Sequence, residues 1–132
     1  MAREKKVVDA SIVAKWFLNE PDTVKALQLR EDHLSGKMLL IAPELLGIEV
    51  LNTLRYKGYD QNALEHANTS LGDIQLHIEH ATIFLLQRAI KLALEYNLTI
   101  YDALYAALAQ IHGCPLITAD EKLKKLPFAV VL

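Results

Sequence analysis

Short apolar runs recur along this chain with helix-patterned segments between them, and that alternation restricts the fold more than any other feature. Lys6 to Asp9, Met38 to Ala42, Pro115 to Thr118 and Phe128 to Leu132 read as strands, with a weaker one around Ile74 to Ile78. Apolar residues fall at helical intervals over Ser11 to Asn19, Thr23 to His33, Glu44 to Tyr56, Asp60 to Ala67, Thr82 to Tyr96 and Thr99 to His112. A short helix is expected over Asp120 to Leu126. Pro21, Ser35-Gly36, Lys57-Gly58 and Gly113 punctuate these segments, and Pro43 opens one of them. Parallel neighbours need a crossover, which a helix usually supplies. The expected fold is therefore α/β, a three-layer sandwich with a mostly parallel central sheet flanked by helices, in a single domain over residues 1–132.

Of 132 residues, 52% are hydrophobic and 23% charged, enough for one core and too few for two. The longest apolar run, Ala103 to Ala109, is far short of the roughly 20 residues that cross a bilayer as a helix. The amino-terminal residues lack the apolar stretch of a secretory signal, and Cys114 is the single cysteine, so a cytoplasmic location with no membrane partner is expected. Cys114, next to Pro115 at the head of an apolar run, reads as a core thiol rather than a nucleophile. The net charge of -2 offers no general nucleic-acid-binding surface. Neither G-x-x-x-x-G-K nor G-x-G-x-x-G occurs, which disfavours nucleotide-cofactor enzymes.

Four acidic residues stand within apolar sequence: Asp9 after Val7-Val8, Glu49 in ELLGIEVLNTL, Asp102 in TIYDALYAALA and Asp120 in PLITADEKL. Helix capping accounts for some of them one at a time. Asp9 precedes a helix, and Thr99 with Asp102 or Thr118 with Glu121 has the spacing of a capping box. Glu49 lies at least one turn inside its helix, where an ionised carboxylate needs a partner. A salt bridge to Lys15 or Arg55 is one solution, a cation another. Asp9 and Asp120 follow strands, and ligands of such sheets bind beyond the strands' carboxyl ends. Should all four acids meet there, only a multivalent cation relieves their repulsion while leaving each ionised, and all-oxygen donors suit Mg²⁺ or Mn²⁺. Setting these four aside leaves 12 acids against 14 bases, so the rest of the chain is net positive. Lys15, Arg55, Lys57, Lys122, Lys124 and Lys125 follow the acidic positions closely, and either hold phosphates or are ordinary solvated lysines and arginine.

With these residues in view the chain resembles the PIN domain, and within it the VapC-like toxin ribonucleases of prokaryotic toxin–antitoxin pairs. The matching segments are VVDASIVAKWF, PELLGIEVLNTL, TIYDALYAALA and LITADEKL, in that order across essentially the whole chain. The resemblance implies a metal-dependent endoribonuclease whose Asp9, Glu49, Asp102 and Asp120 surround Mg²⁺ or Mn²⁺. It implies positioning roles for Ser11, Asn52 and Thr118, and RNA phosphate contacts for Lys15, Arg55 and Lys122 are consistent with it. It also implies a homodimer and a cognate antitoxin that covers the acidic cleft.

Two readings compete with this one: a Mg²⁺-dependent phosphohydrolase on a similar fold, and a non-catalytic binding or assembly module whose acids are caps and salt bridges. His77 and His80 have a spacing that suits Zn²⁺, but no third histidine or cysteine lies near in sequence, so they read as surface residues. Trp16 and Phe17 read as core.

Overall fold

A computed structural model describes residues 3–132. The chain begins with β1 (Glu4–Val8), α1 (Ala10–Ala14), α2 (Thr23–Leu34), β2 (Met38–Pro43) and α3 (Leu45–Tyr56). It continues with α4 (Gln61–Ile74), β3 (His77–Glu79), α5 (Ile83–Tyr96) and α6 (Ile100–His112). β4 (Leu116–Thr118), a 3-10 helix (Glu121–Lys125) and β5 (Ala129–Val131) complete it. The strands form one parallel sheet in the order β3-β2-β1-β4-β5. Val7 of the central strand sits level with Ile41 on one side and Leu116 on the other.

Both faces of the sheet are covered. Side chains alternate across a strand, yet Val7 and Val8 are both fully buried, as are Leu40, Ile41 and Ala42 in β2. Because parallel crossovers are right-handed, the steps β1 to β2 to β3 put α1 through α4 on one face. The return from β3 across to β4 puts α5 and α6 on the other. The reversal between β1 and β4 makes their carboxyl ends the switch point of the sheet. Asp9 follows one of these strands directly, and Asp120 lies two residues beyond the other.

Local elements depart from the sequence expectation in four places. α1 stops at Ala14 rather than Asn19; Trp16 turns inward instead, its Nε1 donating to the Ala26 carbonyl at 2.7 Å. α4 continues through the polar stretch expected to end it, because Ala67 and Ile74 are buried and Thr69 returns its hydroxyl to the Glu65 carbonyl. That burial overrides the weak helix propensity of Asn68 to Gly72. Consequently β3 begins at His77, after Gln75 ends the helix in a left-handed conformation. The segment after Asp120 winds as a 3-10 helix rather than an α-helix.

No helix among the described residues is long and apolar enough to cross a membrane. Trp16 is buried and Phe17 packs at the edge of the core. Cys114 is half-buried with its thiol pKa raised by burial, in keeping with an unreactive side chain.

Candidate active site

The site is built outward from Asp9. As the cap of α1, its Oδ1 accepts from the Ile12 amide at 3.3 Å and from the Ser11 hydroxyl at 2.5 Å. Its Oδ2 accepts from the Thr118 hydroxyl, which reaches across from β4. Ser11 Oγ in turn accepts from the Ala119 amide at 2.9 Å, and Thr118 Oγ1 from the Asp120 amide at 3.0 Å. The two switch-point strands are thus laced together around one carboxylate. Asp9 is only 6% exposed, and burial pushes its pKa up to about 6 against the hydroxyl and amide bonds that lower it.

Asp120 caps the 3-10 helix, accepting from the Lys122 amide at 3.0 Å. Asp102 lies in the first turn of α6, where its backbone amide donates to the Thr99 hydroxyl at 3.1 Å. Burial raises the Asp102 pKa, and the neighbouring charge of Asp120 raises it further, while Lys122 works in the opposite direction. Glu49 projects from the middle of α3 and accepts a 2.5 Å bond from the Tyr105 hydroxyl. Its pKa is raised by burial, with Tyr105 opposing and the Asp102 charge adding to the rise. Tyr105 itself is held firmly protonated by burial and by Glu49, so it acts as a fixed donor.

All four acids line one cleft of about 340 Å³, together with Ser11, Lys15, Glu20, Thr53, Lys57 and Tyr105. Capping and site formation therefore coexist: Asp9 and Asp120 cap helices and also line the cleft. Among the described residues, none of the four takes part in an ion pair. The expected alternative for Glu49, a salt bridge to Lys15 or Arg55, is replaced by Tyr105.

The donor set suits a hard divalent ion: carboxylate oxygens, partly buried, with pKa values raised at three positions and no paired cation. The side chains do not, however, close around a point. Among the described residues no three histidine, cysteine, aspartate or glutamate side chains stand near enough to hold an ion together. Asp9 is held instead by Ser11 and Thr118, and Glu49 by Tyr105.

Two expected residues lie elsewhere. Asn52 and Arg55 face a separate groove between α3 and α4, with Ile48, Leu51 and Leu64. At about 100° per residue, position 53 lies closer to the direction of Glu49 than position 52 does, and Thr53 lines the cleft instead. Lys122 is exposed beside Asp102, and Lys15 lines the cleft as expected. Tyr105 and Glu20 were not anticipated. The three-residue spacing from Asp102 to Tyr105 marks one face of α6, but its contact with Glu49 joins positions 56 residues apart. His77 and His80 turn to different carboxylates, Glu79 and Glu44.

The sheet order and the acid-lined cleft define a class: residues 6–129 match the PIN domain family, and the chain belongs to it. Within that family it is VapC-like. It is 32% identical over 133 residues to Ribonuclease VapC3 of Pyrobaculum aerophilum, covering 96% of this chain and 98% of that protein. Its fold is shared with a chain from a toxin–antitoxin complex of Klebsiella pneumoniae, with a TM-score of 0.74 at 20% identity and 96% coverage of each chain. VapC20 of Mycobacterium tuberculosis, a Sarcin-Ricin loop cleaving toxin, superposes equally well, with a TM-score of 0.74 at 16% identity over 93% of this chain and 95% of that one.

Proposed function

We propose that this protein is a Mg²⁺- or Mn²⁺-dependent endoribonuclease and the toxin of a prokaryotic toxin–antitoxin pair. The supporting observation is that Asp9, Glu49, Asp102 and Asp120, from four separate segments, line one cleft and that none of these four is ion-paired, the cleft's Lys15 and Lys57 pairing with Glu20 instead. Kinship with a protein named as a ribonuclease supports the substrate class.

Asp9 and Asp102 would hold the ion, with Glu49 and Asp120 completing its shell directly or through water. When bound, a divalent ion supplies Lewis acidity to the phosphodiester and lowers the pKa of an attacking water. The chain's own groups do the rest. Ser11 and Thr118 fix both oxygens of Asp9, and Tyr105 fixes Glu49. Glu49 or Asp120 would take the proton of the water as its oxygen bonds to phosphorus and the opposite P–O bond breaks, the leaving oxygen departing with the bonding pair and taking a proton from solvent. Lys122, whose charge acts on Asp102, would meet a backbone phosphate.

A cognate antitoxin is proposed because the fold is shared with a chain of a toxin–antitoxin complex. A homodimer is proposed because α5 and α6 leave Ile83, Phe84, Ile90, Leu94, Ile100 and Tyr101 exposed, an apolar surface that a second copy would bury. The proposed site of action is the cytoplasm, where RNA is at hand.

Purified protein with Mg²⁺ or Mn²⁺ is expected to cleave structured RNA and to leave p-nitrophenyl phosphate intact. Turnover of the small ester alone would instead identify a phosphohydrolase, and inertness toward both a binding module. Tyr105→Phe removes the donor to Glu49 without removing an acid. Steady-state RNA cleavage by that variant is expected to fall roughly tenfold to a hundredfold, as supporting contacts around metal ligands typically do. Unchanged cleavage would show that Glu49 needs no positioning.

A further inference from the structure

Glu20 is the fifth acid of the cleft and differs from the other four in being paired. Its Oε1 lies 3.7 Å from Lys15 Nζ and its Oε2 lies 3.7 Å from Lys57 Nζ, so one carboxylate spans two ammonium groups. Lys15 ends α1 and Lys57 ends α3, each at a helix carboxyl terminus where positive charge is favoured. All three side chains face the cavity that holds the four unpaired acids.

The bridge is not what holds this part of the chain. Glu20 is seated through its backbone, its amide donating to Thr23 Oγ1 at 2.9 Å while that hydroxyl donates to the Leu18 carbonyl at 2.8 Å. Lys15 Nζ also donates to the Pro21 carbonyl at 3.0 Å, and the Tyr59 hydroxyl ties the end of α3 to the Phe17 carbonyl. Lys15 is therefore positioned without the Glu20 carboxylate, as is the backbone that carries Lys57, and partly exposed ion pairs of this length are easily exchanged. A carboxylate and a phosphodiester present the same recognition feature, anionic oxygens that accept from ammonium donors.

We propose that Glu20 occupies, in the free protein, the seat of a backbone phosphate between Lys15 and Lys57, and that an RNA strand enters the cleft by displacing it. This rests on reading the cleft as the site of RNA cleavage. Glu20 is then a gate on affinity: it neutralises the two lysines when no polyanion is present and competes with the strand for them. Lys57, more than half exposed, is the first to meet the incoming phosphate, and the more buried Lys15 receives it second.

The test is equilibrium binding of a fluorescein-labelled single-stranded RNA dodecamer of mixed sequence, followed by anisotropy across a salt series. Asp102→Asn serves as the background so that the RNA survives the measurement. Glu20→Gln is expected to tighten binding about twofold to fivefold, the range of a released surface ion pair, and to steepen the salt dependence. Lys57→Ala is expected to weaken binding and flatten the log–log salt slope by about 0.7, the share of one phosphate contact on a single strand. The deciding result is their coupling. Lys57→Ala should cost more in the Glu20→Gln background than alone, because only there is Lys57 free before binding. Equal costs in both backgrounds would reduce Glu20 to a distant repulsive charge and overturn the proposal, as would no gain from Glu20→Gln. RNA cleavage by the wild-type protein is scored separately: its absence would overturn the ribonuclease reading, whereas the binding cycle reports on Glu20 alone.

Discussion

Asp102→Asn is expected to slow metal-dependent RNA cleavage by about a thousandfold while leaving the fold intact. The size follows from removing one of the two principal carboxylates proposed to hold the ion, whose stabilisation of charge at the reacting phosphate is worth several kcal/mol. The retention of fold follows from local geometry. The capping contact at the start of α6 is made by the backbone amide of residue 102 to Thr99 Oγ1, and asparagine keeps it. The lost attraction between a carboxylate and the helix amino terminus, typically below about 1 kcal/mol on a surface, is offset by relief of repulsion from Asp120. Cleavage rates and urea unfolding measured on the same preparation separate these effects. Wild-type cleavage by Asp102→Asn would remove the basis of the nuclease assignment.

Asp9→Asn is expected to abolish cleavage and, without divalent ions, to make the protein more stable. Asp9 is nearly fully buried among neutral hydroxyls, with a pKa pushed from 3.8 to about 6. Between these values the folded protein retains a proton that the unfolded chain has released. Stability in a chelating buffer should therefore fall as pH rises from about 4 to about 6, then level off, with a total cost near 3 kcal/mol. The raised pKa values of Glu49 and Asp102 act with the same sign. Asparagine carries no charge to desolvate, but its amide NH2 replaces one of the two oxygens that accept from Ser11 and Thr118, so at neutral pH the variant should gain only about 1 kcal/mol in urea unfolding without divalent ions. Added Mg²⁺ or Mn²⁺ should stabilise the wild type by mass action and the variant little. A variant less stable than wild type in chelating buffer would show that the lost hydroxyl bond outweighs the relief of desolvation.

These two residues also show how far local pattern reaches. Asp9 was legible because a carboxylate directly after two valines is costly to bury without a purpose, and the change from strand to helix fell at the same place. Asp102 was legible as part of a capping box and Asp120 as an acid at a strand's carboxyl end, and both line the cleft, which lies where helix amino termini meet that edge of the sheet. Asn52 shows the opposite case. On an amphipathic helix, offsets of three and four residues both read as the same side; the helical step favours 53 only slightly, and the structure sets Thr53 in the cleft and Asn52 in the groove beside α4. The polar stretch within α4 misled for a similar reason: burial of Ala67 and Ile74 outweighed local propensity.

Period and punctuation in the sequence were sufficient to determine an alternating α/β chain and to single out four acids that an apolar neighbourhood does not explain, because both are properties of near neighbours. Strand order was not among those properties. The reversal that sets β4 beside β1 brings Thr118 onto Asp9 across 109 positions. Packing of α6 near α3 brings Tyr105 onto Glu49, and the ends of α1 and α3 set Lys15 and Lys57 around Glu20. Each of these contacts depends on where a whole element comes to rest, which is decided by burial summed over the entire core.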